Sequence, residues 1–113
     1  MIKEIAEYFN IKGTYIGDGV FFLEKPLGSN SWDSNVTESW DPVNNDFDFN
    51  YLISNMRGVN LNVRIDTISI NVEVSNDNFY VSGKYIKSKE DYNLKLYRTC
   101  VLKTIHAFCI VNE

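Results

Sequence analysis

Apolar residues recur along this chain with two different spacings, and each spacing predicts an element. Ile2, Ile5, Ala6 and Phe9 fall at the i, i+3, i+4, i+7 positions of one helical face. This predicts a short helix over residues 2–10, broken by Gly13. The run from Tyr15 to Leu23 is centred on Gly17-Asp18-Gly19, residues that tolerate positive φ. A tight turn between two short extended arms is expected. A phosphate-cradling loop would need a helix opening after the glycines, and β-formers follow instead. Residues 25–46 then form a long polar loop rich in Ser, Asn, Asp and Gly, holding both tryptophans, Trp32 and Trp40.

The helical spacing returns at Phe49, Leu52, Ile53 and Met56. It predicts a helix capped by Asp46, running to about Arg57 and stopped by Gly58. Strict alternation follows. Val59, Leu61, Val63 and Ile65 alternate with polar residues, then Ile68, Ile70, Val72 and Val74 do so in the opposite phase. Strand period is two, so the flip at Asp66-Thr67 marks a bulge or, better, a turn, since one unbroken strand would be unusually long. A second turn is expected at Asn76-Asp77-Asn78. Phe79, Val81 and Tyr85 continue a third run, with Gly83 as a bulge or a close contact. From Ser88 to about Val111, Leu94, Tyr97, Val101, Ile105 and Phe108 mark a long helix, widened by Cys100, Leu102 and Cys109. Ser88 and Asp91 have the shape of a capping box.

The expected fold is a single α+β domain over residues 1–113. An antiparallel sheet of about three to five strands is packed by N-terminal, middle and long C-terminal helices.

Composition narrows the function. The formal net charge of −4 over 113 residues gives no basic face for a nucleic-acid duplex. Cys100 and Cys109 lie nine residues apart, about 13 Å along a helix, beyond disulfide reach. They read as free thiols in a reducing compartment. No basic leader precedes an apolar core, and no apolar run approaches the roughly 18 residues that span a bilayer. The expectation is a cytoplasmic protein without membrane contact.

Candidate chemistry is sparse. His106 is the only histidine, and with Cys109 at i+3 on an apolar stripe the pair reads as core before it reads as catalytic. The cysteine spacing fits no zinc motif. Asp46 with Asp48 complements a helix dipole more simply than it holds a metal ion. No catalytic residue, metal or cofactor is assigned. Cationic and aromatic residues are better represented. Arg57, Tyr80, Asn93, Tyr97 and Arg98 could grip a nucleobase between a guanidinium and a ring, with an amide reading its edge. The same residue types populate subunit interfaces and also occur as ordinary surface side chains. Trp32 and Trp40 could be presented to a protein partner or could anchor the loop on the core.

The segment Ser39-Trp40-Asp41-Pro42-Val43-Asn44-Asn45-Asp46, with Leu52, Met56, the strands from Val59 to Ile86 and Glu90-Asp91-Tyr92-Asn93-Leu94 onward, resembles the small phage proteins of the phage ABA sandwich domain. The resemblance covers roughly residues 39–109 and supplies no catalytic residues. It implies a phage or prophage origin. On that analogy the chain would be a binding protein, not an enzyme, that counters antiviral defence in the host cytoplasm. It would act as a homo-oligomer that sequesters a cyclic or modified nucleotide signal, or else as an anti-CRISPR-like inhibitor of a host defence protein. A small phage protein of structural role is the remaining reading.

Overall fold

The computed structural model describes residues 1–17, 20–23, 40–87 and 93–111. Helix α1 spans Ile2–Tyr8. It stops because Asn10 turns into the left-handed region at φ 55°, which Asn tolerates better than most residues. The Ile11 N–H then donates to the Ala6 carbonyl at 2.8 Å, and the Asn10 N–H to that of Glu7 at 3.3 Å. This is a Schellman ending with Asn in the place glycine usually takes. Strands β1 (Gly13–Gly17) and β2 (Val20–Leu23) pair antiparallel, as the two expected arms. The turn residues Asp18 and Gly19, and the polar loop from Glu24 to Ser39 with Trp32, lie outside the described residues.

Helix α2 spans Asp46–Ser54. Its cap is Asn45, whose Oδ1 accepts the Asp48 N–H at 3.0 Å, so Asp46 is the first helical residue and not the cap. The helix also ends three residues before Arg57. Ser54 Oγ and Asn55 Nδ2 both donate to the Tyr51 carbonyl, at 2.8 and 2.7 Å, a local competition that unravels helix ends. Gly58, at φ 74°, turns the chain into the sheet.

The sheet is β3 (Asn60–Ile65), β4 (Ser69–Ser75) and β5 (Tyr80–Ile86), antiparallel in that order. The flip in alternation is a turn, closed by the Asp66 N–H to the Ser69 carbonyl at 2.8 Å. Asn76 builds the second turn, its Oδ1 accepting the N–H groups of Asn78 and Phe79 at 2.9 and 2.8 Å. Gly83 is not a bulge, because β4 and β5 pair without a register break. It is a close contact. A Cβ there would stand 2.7 Å from the Tyr85 ring and 2.9 Å from Thr104 Oγ1.

Helix α3 spans Leu94–Val111. Asn93 caps it, accepting the Leu96 N–H at 2.8 Å; the expected capping pair Ser88 and Asp91 lies outside the described residues. It lies over β4 and β5, and α1 packs on α3 in turn. The burial stripe therefore differs from the predicted one. Arg98 and Thr104 are buried along with Cys100, Val101, Leu102, Ile105, Phe108 and Cys109, while Leu94 is exposed. A helix covered on two sides buries a broad band, and the first turn projects beyond it. Ile70, Val72 and Val74 meet α3 from β4. The opposite face carries Asn60, Asn62, Arg64, Tyr80, Ser82 and Lys84, all exposed. The molecule is thus α+β, with a three-stranded antiparallel sheet, a separate strand pair and three helices among the described residues, and no described helix is long and apolar enough to cross a membrane.

Candidate functional site

The aromatic and cationic residues do not converge. They fall into three places with different surroundings.

The first place is closed. Trp40 is only 2% exposed, so it anchors the core and is not presented to a partner. Its burial follows from a local network. The indole Nε1–H donates to the Asp48 carbonyl at 3.2 Å, and the Asp48 carboxylate accepts the Asp41 N–H at 2.9 Å. Asp41 Oδ2 in turn accepts from Asn44 Nδ2 at 2.8 Å. The indole N–H that Trp40 carries inward is therefore given a partner, and so is the Asp48 carboxylate beside it. Pro42, Leu52 and Met56 are buried as well. Arg98 also belongs here, which corrects its expected role in ligand binding. Its Nη2 pairs with Asp46 Oδ1, its Nη1 donates to the Val43 carbonyl at 3.3 Å, and its guanidinium lies 5.5 Å from the centre of the Phe49 ring. The guanidinium is about 8% exposed and Asp46 about 77%, so the pair straddles the surface with the cation inside. Tyr97 stands half-buried, edge-on to Phe49 at 6.0 Å. Asn93 is the α3 cap. Three of the five expected ligand contacts thus serve the junction of α2 with α3, or the start of α3 itself.

The second place is open. Arg57 borders a cavity of about 550 Å³ between the ends of α1 and α2 and the β4–β5 turn. Tyr8, Phe9, Asn10, Asn55, Gly58, Val59 and Asn76 complete the lining. Both described positive-φ positions, Asn10 and Gly58, shape this wall. Among the described residues the Arg57 guanidinium has no ion-pair or hydrogen-bond partner. The cleft therefore offers an unpartnered cation and two rings set edge-to-face at 4.9 Å, while Asn55 and Asn76 are held by the Tyr51 carbonyl and by the N–H groups of their own turn. Reading the sequence picked out Arg57 and missed its neighbours. Asn10 carried the one available signal, an Asn directly after a helical stripe.

The third place is the outer sheet face. Tyr80, exposed at one corner, borders a shallow hollow of about 340 Å³ with Asn62, Arg64, Asn71, Glu73 and Lys84. A hydrogen bond to Glu73 pushes the Tyr80 phenol up from its ordinary value. Asn62 donates to the same carboxylate at 3.4 Å, and Arg64 pairs with Asp66 at 3.4 Å. Arg64 is therefore already matched, while Glu73 accepts only from neutral groups and Lys84 has no ion-pair partner among the described residues.

His106 lies apart from all three, with Nε2 3.8 Å from Glu4 Oε1 on α1. A backbone hydrogen bond at Glu4, followed by the neighbouring chain amine, holds that carboxyl below its usual range. Cys100 and Cys109 are free and buried, and burial pushes the Cys100 thiol up. Among the described residues no three of His, Cys, Asp and Glu gather closely enough to hold a metal ion. No family model, curated protein or solved structure matches the chain.

Proposed function

We propose that this protein binds and does not catalyse, and that it captures a small anionic ligand with a planar group, such as a cyclic or modified nucleotide, in the Arg57 cleft. One observation carries the reading. Among the described residues Arg57 is a guanidinium without a side-chain partner, beside two aromatic rings and the exposed Asn10 amide, in a cavity of nucleotide size. A guanidinium takes a phosphate through paired N–H donors, a ring takes a base face, and Asn amides read base edges. The likeness of residues 39–109 to phage ABA sandwich proteins supplies the biological setting, in which such a protein withdraws a host immune signal. The competing reading, an inhibitor that docks on a defence protein through Trp32 and Trp40, loses Trp40, which lies in the core, while Trp32 lies outside the described residues.

The test is a melting series with a panel of cyclic mono-, di- and trinucleotides. A ligand at 100 times its Kd should stabilise the fold by roughly 2.7 kcal/mol. Arg57→Ala should abolish that shift and Arg98→Lys should keep it. If no nucleotide shifts the wild-type melt, the proposal fails.

A further inference from the structure

We propose that two copies of this chain pair through the free edge of β5, antiparallel and centred on Gly83, to make one six-stranded sheet. Among the described residues β5 hydrogen-bonds only to β4, so its other edge leaves backbone N–H and C=O groups unpaired. The strand itself indicates what covers that edge. Its outward face is polar except at the two ends, where Tyr80 is 61% and Ile86 73% exposed. A two-fold axis at Gly83 sets each Tyr80 opposite the second copy's Ile86, which removes both from water at once. The same register places Lys84 opposite the other copy's Ser82. Lys84 has no ion-pair partner among the described residues. Beyond the small Ser82 its neighbour on β4 is Glu73, so the lysine of each copy extends toward the carboxylate of the other.

The helices allow this arrangement. α3 lies over β4 and β5, so the two α3 helices would stand about two strand spacings apart, roughly 10 Å. That is an ordinary helix packing distance. The β3 edge is the poorer choice, since its outward residues, Asn60, Asn62 and Arg64, hold no apolar group and Arg64 is already paired with Asp66.

Sedimentation velocity on the full chain tests the proposal without any ligand. The wild type should sediment at twice the 13.1 kDa of one chain. Ile86→Glu should weaken the dimer about tenfold or more while leaving circular dichroism unchanged. A Tyr80→Cys/Ile86→Cys double variant should form a covalent dimer on oxidation, and an Asn62→Cys/Arg64→Cys variant on β3 should not. The native thiols are buried and will not interfere. A monomer up to roughly 1 mM, a dimer indifferent to Ile86→Glu, or cross-linking at β3 in place of β5 would each overturn it.

Discussion

Arg98 and Arg57 begin as equivalent candidates, each an arginine near aromatic residues, yet the fold treats them oppositely. Arg98 is drawn under α2, with a carboxylate, a carbonyl and a ring already around it. Arg57 stands beyond the last turn of the same α2 helix with no partner in the described chain. The contrast shows that residue type does not make a recognition group. What matters is whether the folded protein already holds it: both Nη groups of Arg98 are engaged, though its buried Nε has no hydrogen-bond partner among the described residues. A buried cation held by its own chain is structural, while an unpaired one beside a hollow is available to something else.

The largest effect that would sharpen the contrast belongs to the closed region. Trp40→Ala should cost about 3–5 kcal/mol in chemical denaturation, because it empties a core site and strands the Asp48 network. A loss under about 1 kcal/mol would show that the ring is not an anchor. Next is Asp46→Asn, which leaves the buried guanidinium with a weaker acceptor. We expect a loss of about 1–2 kcal/mol, tempered by the exposure of the carboxylate. Thiol chemistry gives a smaller but directional effect. The Cys100 thiol is pushed above its ordinary 9.0 by burial, with Lys103 opposing. A folded value above the unfolded one adds stability below about pH 9 that fades as pH rises through the folded value. Native Cys100 should therefore react slowly with a disulfide reagent at neutral pH, and the melting temperature of the wild type should fall more steeply than that of Cys100→Ala above pH 9. Equal slopes would remove the burial argument. The smallest stability change is expected at Arg57→Ala, within about 0.5 kcal/mol. A larger loss would place Arg57 in the same structural class as Arg98 and erase the comparison.

Much of the architecture could be read from spacing alone. The alternation in β3 to β5, with its phase flip at Asp66-Thr67, located a turn because a one-residue slip would bury Asn and Arg. Gly83 announced a bulge or a close approach, and the structure selects the second, since nothing larger fits beside Tyr85 and Thr104. Helix ends were less legible. Asn45 took the place of the acidic cap that the pattern favoured, and Asn93 caps α3, because several neighbouring polar residues can cap and only the chain's path selects one. The site was least legible. Arg98 is one residue from an apolar stripe, and whether such a residue snorkels outward or is covered depends on α2, which reaches it from about fifty residues earlier in the sequence. The cleft likewise joins residues from α1, α2 and a hairpin turn, and no local pattern encodes that meeting. The motif that carries the phage likeness proves, in Trp40, Pro42, Leu52 and Met56, to be a set of core positions. It therefore reports on how the chain folds more than on what it holds.

The bare α-carbon of Gly83 has a mechanical consequence. The Tyr85 ring folds into the space that a methyl would fill, and its hydroxyl bonds Thr104 at 2.8 Å, while Thr104 also donates to the Cys100 carbonyl at 3.0 Å. The long helix is thus pinned against sliding and rotation at mid-length, and α1, resting on it, inherits a fixed platform. The sheet and its covering helix thus form the frame against which the hollow beside Arg57 is built.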